Sequence, residues 1–142
     1  MDFFALIDSA RPYLTHFDYD HYPEDFAAFE RAAAPFFDAL DPACFEARIG
    51  AILDGAAARW EKVPRLSRRG EAKRDKTVLA LFFTPAAARH SETARAFAAL
   101  LQARWNSRFP RNRYLAGDYD ALLKGFDTDF FGITLRKTER RE

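Results

Sequence analysis

The sequence predicts a mainly helical fold: five or six helices in one domain spanning residues 1–142. Three observations carry this expectation. Apolar residues recur at helical spacing through three long segments. Prolines fall where a helix begins, as in Asp41-Pro42 and Thr84-Pro85, a capping residue followed by a residue with no N–H to waste. Alanine is abundant, 26 of 142 residues, which suits helices in close contact. A chain of this length is of one-domain size and buries roughly two thirds of its unfolded surface.

The elements follow in order. Residues 2–9 predict a short first helix, ended near Pro12. The segment Tyr13 to Tyr22 mixes aromatic and polar residues and reads as a loop. Pro23 opens a second helix over 23–40, with Glu24 and Asp25 at the positive end of its dipole. Phe26, Phe29, Ala33, Phe36, Phe37 and Leu40 mark its face, and Pro35 predicts a kink or a split. The third helix runs over 42–63, with Phe45, Ile49, Ile52, Leu53, Ala56, Trp60 and Val63 on one face. Gly50 and Gly55 each cost it about 1 kcal/mol against alanine; they mark either a close approach by another helix or nothing at all. Residues 64–76 read as a basic, exposed connection, although Glu71 to Lys76 favour helix by propensity. Thr77 to Phe83 is a short apolar run that periodicity alone does not divide between buried helix and buried strand; the helical reading is preferred. Ser91-Glu92 starts a further helix over 91–105, with Ala94, Phe97, Ala98, Leu101 and Trp105 facing inward. Asp118 and Gly125 bracket a short helix carrying Leu122 and Leu123, and Asp127-Thr128-Asp129 reads as a turn. Residues 130–137 have strand composition. A lone strand needs a partner, so the sequence allows a small C-terminal β pairing, or an α+β alternative with strands near 77–83 and 130–137.

Composition narrows the function classes. Hydrophobic residues make up 49% and charged residues 30%, which excludes a disordered tail. The 15 phenylalanines, with 2 tryptophans and 5 tyrosines, predict an aromatic core. The single cysteine, Cys44, forms no internal disulfide. The N-terminus has an acidic second residue and only five apolar residues in a row, unlike a signal peptide. No stretch approaches the roughly 18–20 apolar residues of a membrane span. A cytoplasmic location and no membrane association are therefore expected.

Net charge is +1, but it is unevenly placed. Residues 1–58 hold three arginines against eleven carboxylates, a net of −8, and residues 59–142 hold nineteen basic residues against ten carboxylates, a net of +9. Either the halves neutralise one another in the fold, or an electrostatic partner is implied.

Four groups of residues are candidates for chemistry. His16, Asp18, Asp20 and His21 combine imidazole and carboxylate, a set suited to Zn²⁺, Mn²⁺ or Fe²⁺; the alternative is a polar turn before Pro23. Cys44 lies in the first turn of a helix, where the dipole favours a thiolate, but no histidine is near in sequence, and a small buried hydrophobe is the simpler reading. The basic residues form two clusters. One runs from Arg59 to Lys76. The other comprises Arg104, Arg108, Arg111 and Arg113, with Tyr114 adjoining and no acid between them. Arginine forks bind anionic groups. Asp118, Asp120, Asp127 and Asp129 fall at caps and turns.

No glycine-rich phosphate loop and no nucleophile elbow is present, and six glycines leave little material for one. The expected function is a non-catalytic protein-binding or regulatory module without a cofactor, its partner surface formed by Arg104, Arg108, Arg111, Arg113 and Tyr114. The alternative is a metal-dependent enzyme using His16, Asp18, Asp20 and His21. Nucleic-acid binding through the arginine clusters comes third, since no recognised nucleic-acid motif accompanies them and the isoelectric point is only about 7.9. The sequence leaves the oligomeric state open.

Overall fold

The computed structural model describes residues 2–15, 17–18, 20–115, 128–130 and 133–135. These form a mainly helical fold with six α-helices among the described residues: α1 (Phe3–Thr15), α2 (Tyr22–Asp38), α3 (Phe45–Glu61), α4 (Arg68–Val78), α5 (Thr84–His90) and α6 (Glu92–Arg108). Short 3-10 turns at Pro42–Cys44 and Arg65–Ser67 lead into α3 and α4. Among the described residues two of the three expected caps form, whereas Thr84 caps nothing, because the π-helical turn runs into α5 without a break. Asp41 accepts from the Ala43 N–H at 3.0 Å and Ser91 from the Ala94 N–H at 3.0 Å.

The faces marked by spacing on α2, α3 and α6 are buried, except that Val63 lies beyond the end of α3 and outside the core cluster. Phe26, Phe29, Ala33, Phe36 and Phe37 of α2, Phe45, Ile49, Ile52, Leu53 and Ala56 of α3, and Ala94, Phe97, Ala98, Leu101 and Trp105 of α6 all join one hydrophobic cluster. Leu40 and Trp60 pack on its edge.

Several expectations need correction. The first helix does not end before Pro12 but runs on to Thr15, and α2 passes through Pro35 without splitting. Both prolines are exposed, so water can take the carbonyl that each leaves without a donor. Residues 64–76 are not a connection, since most of them form α4. The run 77–83 is no strand: α4 leads into a π-helical segment, Leu79–Phe83, which leads into α5. The α+β alternative therefore fails at 77–83. The C-terminal pairing is instead a local antiparallel hairpin of β1 (Thr128–Phe130) and β2 (Ile133–Leu135), with Asp129 opposite Thr134. Thr128 and Asp129 thus belong to a strand rather than a turn. The helix expected around Leu122 and Leu123 lies outside the described residues.

The continuous rod α4–π–α5 is the axis of the molecule. It contacts α1 and α3 along α4, and α2 and α6 along α5. Every residue of the π segment is at most 1% exposed, so this middle part of the rod is apolar all round, as a fully buried helical segment must be, whereas α4 keeps a charged outer face. Its two phenylalanines serve different clusters. Phe82 meets Tyr13, Tyr22 and Phe29 at 5.7, 5.4 and 5.6 Å between ring centroids. Phe83 meets Phe3, Phe36, Phe37 and Phe97 at 5.3–6.4 Å. Such pairs add about 0.5–1.5 kcal/mol each beyond area burial.

The wide turn has a chemical cause. Pro85 offers no N–H to the carbonyl of Leu81, four residues earlier, and its ring crowds that carbonyl. The backbone widens, and the Thr84 N–H reaches back five residues to the carbonyl of Leu79. The Tyr22 hydroxyl donates to the Leu81 carbonyl from α2.

Opposite charges join the two halves of the chain. Arg59 pairs with Asp8 at 2.8 Å, Arg104 with Glu46 at 2.7 Å, Arg108 with Asp54 at 2.8 Å, Arg89 with Glu30 at 3.3 Å and Arg11 with Glu71 at 2.9 Å. Four of these pairs set an arginine of 59–142 against a carboxylate of 1–58, and Arg11–Glu71 runs the other way, so part of the −8 and +9 asymmetry is neutralised within the fold.

Candidate functional site: a cationic groove beside α6

After α6 the chain turns back along the helix. Residues 109–115 form a strap whose inward contacts are polar and specific. The Trp105 indole donates to the Asn112 carbonyl at 2.9 Å, and the Asn112 side chain donates to the Ala72 carbonyl at 3.0 Å. The Asn106 amide then copies a strand pairing: its oxygen accepts from the Tyr114 N–H at 2.8 Å, and its nitrogen donates to the Tyr114 carbonyl at 2.9 Å. Gln102 donates to the same carbonyl at 3.2 Å. The strap opens with a turn, the Asn112 N–H donating to the Phe109 carbonyl at 2.8 Å. With Asn112 and Tyr114 held inward, Arg111, Arg113 and Leu115 are exposed.

Between the strap and the start of α4 lies an open groove of about 480 Å³, lined by Trp60, Arg69, Ala72, Phe109, Pro110, Arg111 and Asn112. Its wall is an aromatic cluster: the Phe109 ring lies tilted at 4.8 Å from Trp60 and edge-on at 5.0 Å from Trp105. Arg108 covers Phe109 at 5.6 Å. Trp60 is fixed from behind, because its indole N–H donates to Asp75 at 2.8 Å. Asp75 is 2% exposed and also accepts from Arg59 at 3.3 Å. Burial pushes the Asp75 carboxyl up from its ordinary range, against the Trp60 hydrogen bond and the Arg59 charge. Burial opposes the Arg59 charge as well, but hydrogen bonds and charges from Asp8 and Asp75 outweigh it and hold the guanidinium more firmly protonated than usual. Asp75 is thus a positioning residue behind the groove wall.

The expected surface residues divide into three kinds. Arg104 and Arg108 point to solvent but are engaged by Glu46 and Asp54. Arg111 and Arg113 are exposed and make no ion pair among the described residues. Tyr114 must be withdrawn from the surface set: at 1% exposure it is a core residue, its ring edge-on to Trp105 at 5.9 Å. Burial pushes its phenol well above the ordinary value. Sequence reasoning missed Trp60, Arg69 and Phe109 as neighbours in one groove. Three separate segments meet there, and no local spacing reports it.

The other candidates resolve differently. His16 lies outside the described residues. The His21 imidazole meets Asp18 at 2.8 Å, and Asp18 also accepts from the Asp20 N–H at 2.8 Å, the geometry of a polar turn leading into α2. Among the described residues no three metal-ligating side chains converge. Cys44 is exposed, not buried as the simpler sequence reading had it, because the 3-10 turn holds it ahead of the buried face of α3. Asp118, Asp120 and Asp127 lie outside the described residues, and Asp129 sits in β1. No helix among the described residues is long and apolar enough to cross a membrane.

The chain matches no protein-family model, no curated protein and no solved structure.

Proposed function

We propose that the protein is a non-catalytic binding module that docks an acidic segment of a partner protein on the outer side of the strap and the adjoining start of α4. The strap carries this reading: Asn106, Asn112 and Trp105 hold it in place, while Arg111 and Arg113 are exposed on it and pair with no carboxylate among the described residues. A fixed backbone lowers the entropy lost on binding. Arginine on such a face supplies forked donors to carboxylates and raises the encounter rate with an acidic surface. The groove adds exposed aromatic area beside these cations, the residue types that dominate binding energy at protein interfaces.

The test uses a fluorescent glutamate-rich peptide as probe, read by anisotropy. The wild-type protein is expected to bind it, with affinity falling as salt rises. Arg111→Glu with Arg113→Glu is expected to keep the helical circular dichroism and to lose at least about tenfold in affinity. Arg95→Glu, remote from the strap, serves as control. Equal binding by the charge-reversed protein removes this face from the docking role, and tighter binding to a single-stranded oligonucleotide than to the peptide replaces the protein partner with nucleic acid.

A further inference from the structure

We infer that the groove between Trp60 and Arg111 is an anchor site for one aromatic side chain of that acidic segment. This inference rests on the docking role of the strap face and adds a specificity to it. A uniformly charged surface needs no cavity, yet here Arg69 and Arg111, which make no ion pair among the described residues, stand around a concavity. Its volume of about 480 Å³ falls within the range of small-ligand sites, enough for a phenyl or indole group with its attached backbone. The lining divides by chemistry. Trp60, Phe109, Pro110 and Ala72 offer apolar surface, and Arg69 and Arg111 supply the cations. A ring entering the groove meets the partly exposed rings of Trp60 and Phe109 and displaces water from both. Carboxylates flanking that ring in the peptide then lie within reach of the Arg69 and Arg111 forks.

The wall is already organised for this. Asp75 fixes the Trp60 indole and Arg108 covers Phe109, so neither ring has to be ordered when the ligand arrives. Ala72 completes the lining at 9% exposure, and its small side chain keeps the cavity open. Charge complementarity selects the occupant: with Arg69 and Arg111 at the rim, a basic or purely apolar segment gains less than an acidic one.

Two glutamate-rich peptides differing only at the centre, phenylalanine against alanine, test the inference by anisotropy and tryptophan emission. The phenylalanine peptide is expected to bind at least about tenfold tighter and to change the emission of Trp60, which lines the groove while Trp105 is buried. Ala72→Met fills the cavity and is expected to abolish the preference while leaving the weaker alanine-peptide affinity in place. Should that variant fold poorly, Trp60→Phe is used: it keeps an aromatic ring but loses the bond to Asp75, and it is expected to reduce the preference and to remove the emission change. Equal affinity for the two peptides in the wild type, with both lost on Arg111→Glu and Arg113→Glu, overturns the anchor and leaves the acidic docking surface standing. Binding of neither peptide overturns both. Concentration-dependent dimerisation that blocks the groove, seen by analytical ultracentrifugation, replaces the peptide with a second copy of the chain and also overturns the anchor.

Discussion

The Tyr22 hydroxyl donates to the main-chain carbonyl of Leu81, across 59 residues of sequence. The bond repairs a defect that the sequence itself creates, since Pro85 stands where the fourth following N–H would have served that carbonyl. Leu81 is fully buried, so water is no substitute. Tyr22→Phe removes the donor and keeps the ring that packs on Phe82. The unmet carbonyl is expected to cost about 1–3 kcal/mol, read as a lower denaturation midpoint at unchanged m-value. A loss much below this range means that the widened turn satisfies Leu81 by another route.

The two glycines of α3 separate helix propensity from packing. Alanine is favoured over glycine in a helix interior by about 1 kcal/mol. At Gly50 an added Cβ meets nothing within 4 Å, so Gly50→Ala is expected to stabilise by about 0.5–1 kcal/mol. At Gly55 the added Cβ comes to 2.6 Å from the Phe4 ring of α1. Overpacking of this kind costs about 1–3 kcal/mol, which outweighs the propensity gain. Gly55→Ala is expected to destabilise, and thermal melts of the two variants should move in opposite directions.

What was legible in the sequence follows the range of the forces involved. The faces of α2, α3 and α6 are set by residues three and four apart, and they were readable. Residues 77–83 were ambiguous because a central helix buries every side, which erases the periodicity that distinguishes it from a strand. The Gly55 approach was half legible: the glycine stood out, but not its partner Phe4. Arg104 and Arg108 looked like free surface charges because Glu46 and Asp54 are more than fifty residues away. Within the strap, the alternation Arg111-Asn112-Arg113-Tyr114 was the available signal for two outward arginines, and it carries equal information that Tyr114 points inward.

His21 adds a pH dependence of definite sign. Its hydrogen bond to Asp18, then the charge of the same carboxylate, raises its pKa above the ordinary 6.5, with smaller help from Glu24 and Asp25. The folded state therefore prefers the protonated imidazole. Its stabilising contribution is fully present below pH 6.5 and is lost as pH climbs through the raised value. His21→Gln lacks this contribution, so the melting-temperature difference between wild type and variant should shrink as the buffer moves from acidic to alkaline. A difference that grows with pH would contradict the pairing with Asp18. The ring is exposed, and high salt should reduce the effect.

Asn106 links the stability of the strap to the presentation of its arginines. It is 8% exposed and makes both of its bonds to the backbone of Tyr114. Gln102 reaches only the Tyr114 carbonyl, so nothing replaces the acceptor that Asn106 offers to the Tyr114 N–H. Asn106→Ala leaves that donor unmet and is expected to cost about 1–3 kcal/mol. Gln102→Ala should cost less, because the Tyr114 carbonyl keeps the Asn106 donor. Binding should follow the same order. Loosening residues 113 and 114 frees Arg113 first and Arg111 second, whereas the aromatic wall is pinned separately by Trp105 and Asp75. Asn106→Ala is therefore expected to weaken the glutamate-rich peptide while preserving the ratio between its phenylalanine and alanine forms. Loss of that ratio together with the affinity would show that the strap shapes the cavity as well as carrying the charge.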